Sequence, residues 1–200
     1  MNNNNYAKLQ KPTQDLVSKY INEFNTDDRY FPADIAIDNL IAKFPKNNYV
    51  YDVILKVATI NALYSTRIMD ISGMANHIVR LDIDSKLDDG NLDLVEEIAT
   101  GHGIGRGSGG SRFFSFATKY CNWHRKDIYP IYDRFVEKIL IAFRDKYGFS
   151  SFKNYDLKNC ASLKRVILDL IDAYSLGQFT FKTIDKFLWR YGQEIFPPSY

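Results

Sequence analysis

The stretch Gly101–Leu140 reads GHGIGRGSGGSRFFSFATKYCNWHRKDIYPIYDRFVEKIL, and its order predicts both the fold and the chemistry of this chain. A glycine-rich turn comes first, where the backbone can bend sharply and approach a ligand closely. A helix is predicted around Phe113–Cys121, and a longer one from about Ile131 to Tyr147. One carboxylate, Asp133, stands near the start of that longer helix. The stretch therefore predicts a hairpin, a helix and then a lone acid.

Apolar periodicity predicts helices on both sides of this stretch as well. They are expected at 16–24, 32–41, 51–64, 69–81, 92–100 with Asn91 as its cap, 162–174 and 181–191. No alternating run is both long and flanked by hairpin turns, so strands are not predicted. We expect an all-α fold of about eight to ten helices.

The expected organisation is a short tail followed by one domain. Residues 1–11 are rich in Asn and read as a flexible tail. Residues 12–200 suit a single all-α domain of two lobes, roughly 12–50 with 145–200, and 51–144. Such an arrangement would place a groove between the lobes.

Composition excludes several classes of protein. Apolar residues make up 46% of the chain and charged residues 25%, which is typical of a globular protein. No apolar run approaches the roughly 18 residues that span a bilayer, and the start has no apolar core typical of a secretory signal. Two cysteines are too few for a Cys-rich metal site or a four-cysteine iron–sulfur cluster. We therefore expect a cytoplasmic monomer with no metal, no cofactor and no membrane partner.

The charge distribution is more informative than the net charge of +2. No acidic residue occurs from Ile98 to Lys126, a range that contains five basic ones: Arg106, Arg112, Lys119, Arg125 and Lys126. Such a segment fits local contact with an anion such as DNA phosphate, although a solvated basic face is the plainer alternative. The free N–H groups of a helix that follows a glycine hairpin can also hold a phosphate. The residues expected to bind DNA here are Gly103, Gly105, Arg106, Gly107 and Arg112.

Two other interpretations of the glycines stay open. Gly105, Gly107 and Gly110 match the dinucleotide pattern G-x-G-x-x-G, but that pattern should follow a strand, and Leu92–Ile98 has helical periodicity. A surface loop without a ligand is the other interpretation. Asp133 has a plain alternative as well, because an Asp at a helix start is usually an N-cap.

Two segments carry a family resemblance. Tyr129–Leu140, YPIYDRFVEKIL, resembles the helix start that bears the catalytic Asp in helix-hairpin-helix DNA glycosylases, especially the adenine-mismatch branch. Ser65–Met74, STRIMDISGM, is similar to an element of the 8-oxoguanine DNA glycosylases. The match covers roughly residues 50 to 145. It implies a helix-hairpin-helix glycosylase-like bundle in which Asp133 is catalytic.

The resemblance also implies how the other residues would act. Enzymes of this kind extrude the target base from double-stranded DNA. Ser65, Thr66 and Arg67 would fill the gap that the extruded base leaves. Aromatic residues near the site would contact the base, and we expect Tyr120, Trp123 and His124 to line its pocket. The substrate would be a damaged or modified base.

One departure from the family bears on the reaction. Members that cleave the strand carry a lysine shortly after the hairpin, whereas Gly107–Thr118 contains none and Lys119 is the remaining lyase candidate. We therefore expect water as the nucleophile and an abasic site as the product, in repair or in antiviral defence. The alternatives are a non-catalytic helix-hairpin-helix DNA-binding module and a nucleotide-cofactor protein.

Overall fold

Helices form the regular structure of this protein. The computed structural model describes residues 7–101 and 112–197, and no strand occurs within those ranges. Ten α-helices and one 3-10 helix lie wholly inside them. They are α1 (Gln14–Asn25), α2 (Phe31–Lys43), α3 (Val50–Tyr64), α4 (Ile71–Arg80), α5 (Ile83–Asp88), α6 (Leu94–Ala99), α7 (Phe114–His124), α8 (Arg134–Tyr147), the 3-10 helix (Asn154–Lys158), α9 (Cys160–Ala173) and α10 (Phe181–Ile195). For the described residues, the expected all-α class is confirmed.

Capping side chains explain where several helices begin. Thr13, Asp70, Asn159 and Thr180 each accept a hydrogen bond from the backbone N–H three residues on. Each such bond satisfies an N–H that the helix itself leaves without a partner, and contributes about 1 kcal/mol. The cap also explains why α4 begins at Ile71 rather than at Met69 as predicted, because the capping residue Asp70 keeps a non-helical backbone.

The structure differs from the sequence-based prediction at Asn91 and at α5. Asn91 does not cap α6: its side-chain oxygen accepts the Asp93 N–H at 3.0 Å and closes a turn, so Asp93 is the N-cap residue. The helix α5 was not predicted, because its six residues bury only Ile83 and Leu87. Two buried positions are too few to produce a helical period in the sequence.

The chain divides into two compact units. The terminal unit comprises residues 1–31 and 132–200, and the central unit comprises residues 32–131. These boundaries differ from the predicted lobes, which divided at 50/51 and 144/145. Almost all of α2 belongs to the central unit and α8 belongs to the terminal unit, whereas the prediction placed α2 with the chain termini and most of α8 in the central lobe. The apolar face of α8, including Val136, Leu140 and Phe143, packs into the core of the terminal unit.

Aromatic packing dominates the core of the terminal unit. The Phe187 and Tyr191 rings of α10 are stacked with centroids 5.6 Å apart, and Tyr20 of α1 lies 4.9 Å from Tyr191. Phe143 of α8 stacks on Tyr191 from another direction at 6.1 Å. These contacts join three helices that are distant in the chain.

The central unit has its own core, in which α3 packs against α4 and α7, and α6 packs against α7. Val53, Val57 and Ile60 on α3 are fully buried, as are Met74 and Ile78 on α4. Their i, i+4 and i+7 spacing explains why both helices were predictable from sequence. The loop between α3 and α4 is therefore supported by two well-packed helices.

Candidate functional site

Asp133 is the N-cap of α8. Its backbone is extended, with φ −143° and ψ 156°, and its Oδ1 accepts the Phe135 N–H at 2.7 Å. Within the described part of the chain, Oδ2 accepts no hydrogen bond, and the side chain is half-buried. The capping role predicted as the plain alternative is therefore confirmed. The cap uses one carboxylate oxygen, and no described residue donates a hydrogen bond to the other.

The first turn of α8 is closely packed from the side of α10. A methyl group at Gly192 would stand only 2.8 Å from the Phe135 carbonyl oxygen, so glycine is required for this approach. The Tyr132 hydroxyl donates to Glu137 Oε2 at 2.7 Å and braces the same turn. Asp133 thus belongs to a turn whose backbone has little freedom to move.

The loop between α3 and α4, residues Ser65–Asp70, contains the three predicted gap-filling residues. Ser65 and Arg67 both have left-handed backbones, with φ of 51° and 63°. This conformation costs an L-residue other than glycine about 1–2 kcal/mol. Ser65 and Arg67 are exposed, and Thr66 is half-buried. The 65–70 loop is therefore strained at two positions, and several of its side chains are open to solvent.

Asn61 of α3 holds this loop. Its Oδ1 accepts the Ile68 N–H at 2.8 Å and the Thr66 hydroxyl at 2.9 Å. Its Nδ2 donates to the Ile68 carbonyl at 3.0 Å. Ile68 is buried, whereas the next side chain, Met69, is 82% exposed. Sequence reasoning missed Asn61, although a polar residue in the last turn before a predicted loop is a usable signal.

The aromatic residues expected to line a base pocket are buried in the central unit. Tyr120 is 0% exposed and donates its hydroxyl proton to Asn47 Oδ1 at 2.6 Å. Trp123 is almost as buried, and its indole N–H donates to the Tyr64 hydroxyl at 3.1 Å. Burial raises the pKa of the Tyr120 hydroxyl well above its usual value. In this structure neither ring is open to a ligand.

His124 lies next to Tyr120, with ring centroids 5.2 Å apart. It is 8% exposed, and no described residue forms a hydrogen bond with its Nε2. Burial, followed by the nearby charge of Lys56, lowers the pKa of the imidazole from 6.5 to about 3. His124 is therefore neutral at physiological pH, and its Nε2 has no hydrogen-bond partner among the described residues.

Lys56 is the centre of a buried polar network that the sequence analysis missed. Its ammonium group is 0% exposed and donates to the Phe44 carbonyl at 3.1 Å, the Lys46 carbonyl at 2.8 Å and Asn47 Oδ1 at 2.6 Å. Burial lowers its pKa from 10.5 to about 8. Asn47 in turn donates its Nδ2–H to the Asp84 carboxylate at 2.7 Å. The network ties the turn between α2 and α3 to α5 and α7.

Three cations of the basic segment that the structure describes are paired with carboxylates. Arg112 donates to both carboxylate oxygens of Glu96, with the closest approach at 2.5 Å. Arg125 pairs with Asp88, and Lys126 pairs with Asp38. For these cations, the expectation of an unbalanced basic segment is corrected, because its partners come from elsewhere in the chain. Arg112 could bind a DNA phosphate only in competition with Glu96.

Lys119, the lyase candidate, is 2% exposed. Its ammonium group donates to the Ser115 hydroxyl at 2.8 Å and lies 5.4 Å from the centre of the Tyr64 ring. A lysine that attacks a sugar must reach the solvent-exposed substrate. In this structure Lys119 is therefore poorly placed as a nucleophile.

The predicted DNA-binding residues of the hairpin, Gly103, Gly105, Arg106 and Gly107, lie outside the described residues. The segment that leads toward them is described, and it is the helix α6 rather than a strand. The dinucleotide-binding alternative required a strand there and is therefore wrong. Among residues 7–101 and 112–197, no cluster of His, Cys, Asp and Glu could hold a metal ion. No helix in those ranges is long and apolar enough to cross a membrane.

Comparison with known proteins identifies relatives of this chain. The HI_0787_N family model, described as an N-terminal domain, matches residues 16–128. An uncharacterized protein of Haemophilus influenzae (strain ATCC 51907 / DSM 11121 / KW20 / Rd) is 37% identical over 154 residues, which are 76% of this chain and 72% of that protein. No solved structure matches the chain. The residues matched by the family model include the 65–70 loop and α7, and they end before Asp133.

Proposed function

The chain belongs to the HI_0787_N family, and we propose that it is a monofunctional DNA glycosylase. It would hydrolyse the N-glycosidic bond of a damaged or modified base extruded from a duplex, leaving an abasic site. The observation that carries the proposal is the half-buried carboxylate of Asp133. One of its oxygens is held by a backbone N–H at 2.7 Å, while the other accepts no hydrogen bond from the residues that the structure describes.

The arrangement of elements supports the proposal further. Helix α6, the glycine-rich segment and helix α7 follow one another in the order of a helix-hairpin-helix motif, and Asp133 then caps α8. The glycosylase-like bundle is our interpretation of this order. Gly103, Gly105, Arg106 and Gly107 would contact the phosphate backbone, which positions a protein on DNA without reading its sequence.

The proposed reaction follows from the charge that develops on the sugar. As the N-glycosidic bond breaks, its electron pair leaves with the base and positive charge grows at C1′. The Asp133 carboxylate would stabilise that charge and orient the water that attacks C1′, accepting a proton from it. The proton needed by the departing base would come from solvent or from a polar group in its pocket.

The state of Lys119 supports hydrolysis rather than strand cleavage. A covalent Schiff base would need its amine deprotonated and exposed, whereas the amine is buried and donates to Ser115. Water therefore serves as the nucleophile in this proposal. The strand would stay intact until alkali or another enzyme cleaves the abasic site. Both the repair of damaged bases and the removal of modified viral bases would proceed through an abasic site.

A panel of labelled duplexes tests the proposal. Each duplex carries one modification: 8-oxoguanine, uracil, an alkylated adenine, or hydroxymethylated or glucosylated cytosine. We expect at least one duplex to release a free base and to break only after alkali treatment. Breakage before alkali would contradict the monofunctional mechanism, and no base release from any duplex would favour the alternative below.

One observation favours a non-catalytic DNA-binding module as the second candidate. The bond from the Phe135 N–H accounts for Asp133 as a helix cap without any chemistry. Such a module would bind duplex DNA with an affinity that falls steeply as salt rises. It would release no base from any duplex in the panel, whichever residue stood at position 133.

A further inference from the structure

The side chain of Asn61 makes three hydrogen bonds, and all three go to residues of the 65–70 loop. It accepts from the Thr66 hydroxyl and the Ile68 N–H, and it donates to the Ile68 carbonyl. Its backbone carbonyl accepts the N–H groups of Ser65 and Thr66 as well. One residue in the last turn of α3 thus makes five hydrogen bonds to the three loop positions 65, 66 and 68.

These bonds determine the conformation of Arg67. The Ile68 N–H belongs to the peptide group that follows Arg67, so Asn61 fixes the orientation of that peptide. Without this bond, nothing in the local sequence would favour a φ of 63° at an arginine. Ile68 is buried and anchors the loop to the central unit. The Arg67 side chain is consequently presented outward on a rigid backbone.

The two side chains presented by the loop match a nucleic acid. Arg67 is exposed, and within the described ranges it has no carboxylate partner, unlike the paired cations of the basic segment. Met69 is 82% exposed, which is uncommon for a long apolar side chain. An arginine can bind phosphate or a base edge, and a flexible apolar side chain can occupy an unstacked base step.

We propose that Asn61 is a positioning residue that orders the 65–70 loop so that Arg67 and Met69 enter a duplex at a missing or extruded base. This inference rests on the proposed function, since it names the residue that prepares the chain for its DNA substrate. Ordering the loop before binding removes an entropic cost that the complex would otherwise incur. Asn61 itself need not contact the DNA.

The test measures binding of the full chain to two duplexes of identical sequence at fixed salt. One duplex carries a tetrahydrofuran analogue of an abasic site, and the other is intact. We expect the wild-type chain to bind the abasic duplex about tenfold more tightly, as one well-ordered loop contact would give. Asn61→Ala should reduce that ratio toward one while leaving binding to the intact duplex unchanged. Arg67→Ala should also reduce the ratio toward one, and the loss of its charge should weaken binding to the intact duplex to a smaller extent.

A combined variant and a matched control separate positioning from general damage. If Asn61 acts through Arg67 and Met69, adding Asn61→Ala to the Arg67→Ala/Met69→Ala chain should not weaken binding to the abasic duplex any further. Asn76→Ala is the control, because Asn76 is an exposed helical asparagine whose side chain, among the described residues, bonds only to Ser72 within α4. It should keep the wild-type ratio. A further loss of affinity when Asn61→Ala is added to the Arg67→Ala/Met69→Ala chain would overturn the inference.

A measurement without DNA tests the same residue independently. Amide exchange of Ile68 should become more than tenfold faster in Asn61→Ala, because its N–H loses the 2.8 Å bond. Unchanged exchange would refute the positioning role. A wild-type chain that releases a base but does not prefer the abasic duplex would refute the role of the 65–70 loop and support the glycosylase proposal. A chain that prefers the abasic duplex but releases no base would support the role of the loop and refute the glycosylase proposal.

Discussion

The two roles assigned to Asp133 can be separated by substitution. Asn and Asp are similarly effective N-caps, so Asp133→Asn should keep the bond from the Phe135 N–H. It loses only the charge at the helix start, which is worth about 0.5 kcal/mol. Asp133→Ala loses the bond as well, and should cost about 1 kcal/mol more. For a chain of this length, that second step lowers Tm by about 3 °C.

The two variants should behave alike in catalysis, although they differ in stability. Removing the group that stabilises charge in a transition state typically costs about 10²- to 10³-fold in rate. We expect base release to fall by at least about a hundredfold in both Asp133→Asn and Asp133→Ala. DNA affinity should be retained in Asp133→Asn, because removing a negative charge near phosphates does not weaken binding.

The assay is single-turnover base release with enzyme in excess, on whichever duplex of the panel is active. Thermal melting by circular dichroism is measured on the same preparations. Base release at the wild-type rate by Asp133→Asn would refute the catalytic role outright. So would an Asp133→Ala chain whose activity falls only in proportion to its folded fraction. Either result would leave Asp133 as a cap and favour the DNA-binding module.

Three further predictions concern the packing around the site. Lys56→Met should lower the free energy of unfolding by about 1–3 kcal/mol in urea, because the Phe44 and Lys46 carbonyl oxygens lose this donor and Asn47 Oδ1 keeps only the bond from the Tyr120 hydroxyl; an unchanged midpoint would contradict the network. Burial lowers the pKa of His124 to about 3 in the folded chain, whereas in the unfolded chain the imidazole takes a proton near pH 6.5. The free energy of unfolding should therefore fall by about 1.4 kcal/mol per pH unit as the pH drops below 6.5. His124→Gln should remove that slope, and His77→Gln should not; a slope that survives His124→Gln would disprove the assignment. Gly192→Ala should destabilise by about 2 kcal/mol through its clash with the first turn of α8, whereas Gly177→Ala, with nothing within 4 Å, should be neutral; equal effects would argue against the close approach.

The capping role of Asp133 links the proposed chemistry to the fold. The backbone N–H that holds one carboxylate oxygen also fixes the direction of the other. Gly192 limits how that first turn can shift, because any added methyl group would meet the Phe135 backbone. A catalytic acid at this position would therefore be held by main-chain rather than side-chain contacts. The same contacts would persist in a module without activity, which is why the Asn variant is the decisive one.

Features that depend on near neighbours in the chain were predictable. The periodic stripe Val53, Val57 and Ile60 predicted α3, and the Asp133 cap was the plain alternative for an Asp near the start of a predicted helix. Both depend on interactions between residues at most a few positions apart, which the sequence displays directly. Lys56 lies in the same stripe and was passed over, because its burial depends on the acceptors that the preceding turn brings to it.

Local interactions were enough to predict that the chain is helical and that Asp133 lies at the start of a helix, since backbone hydrogen bonds and caps act over three or four residues. The folded arrangement was needed to show which charges are paired. Arg125 and Lys126 were predicted to contribute to a basic surface, but they pair with Asp88 and Asp38. Tyr120 and Trp123 were predicted to line a base pocket, but both are buried in the core of the central unit. Coulomb attraction and burial depend on distance in space, and residues far apart in the chain supply the partners.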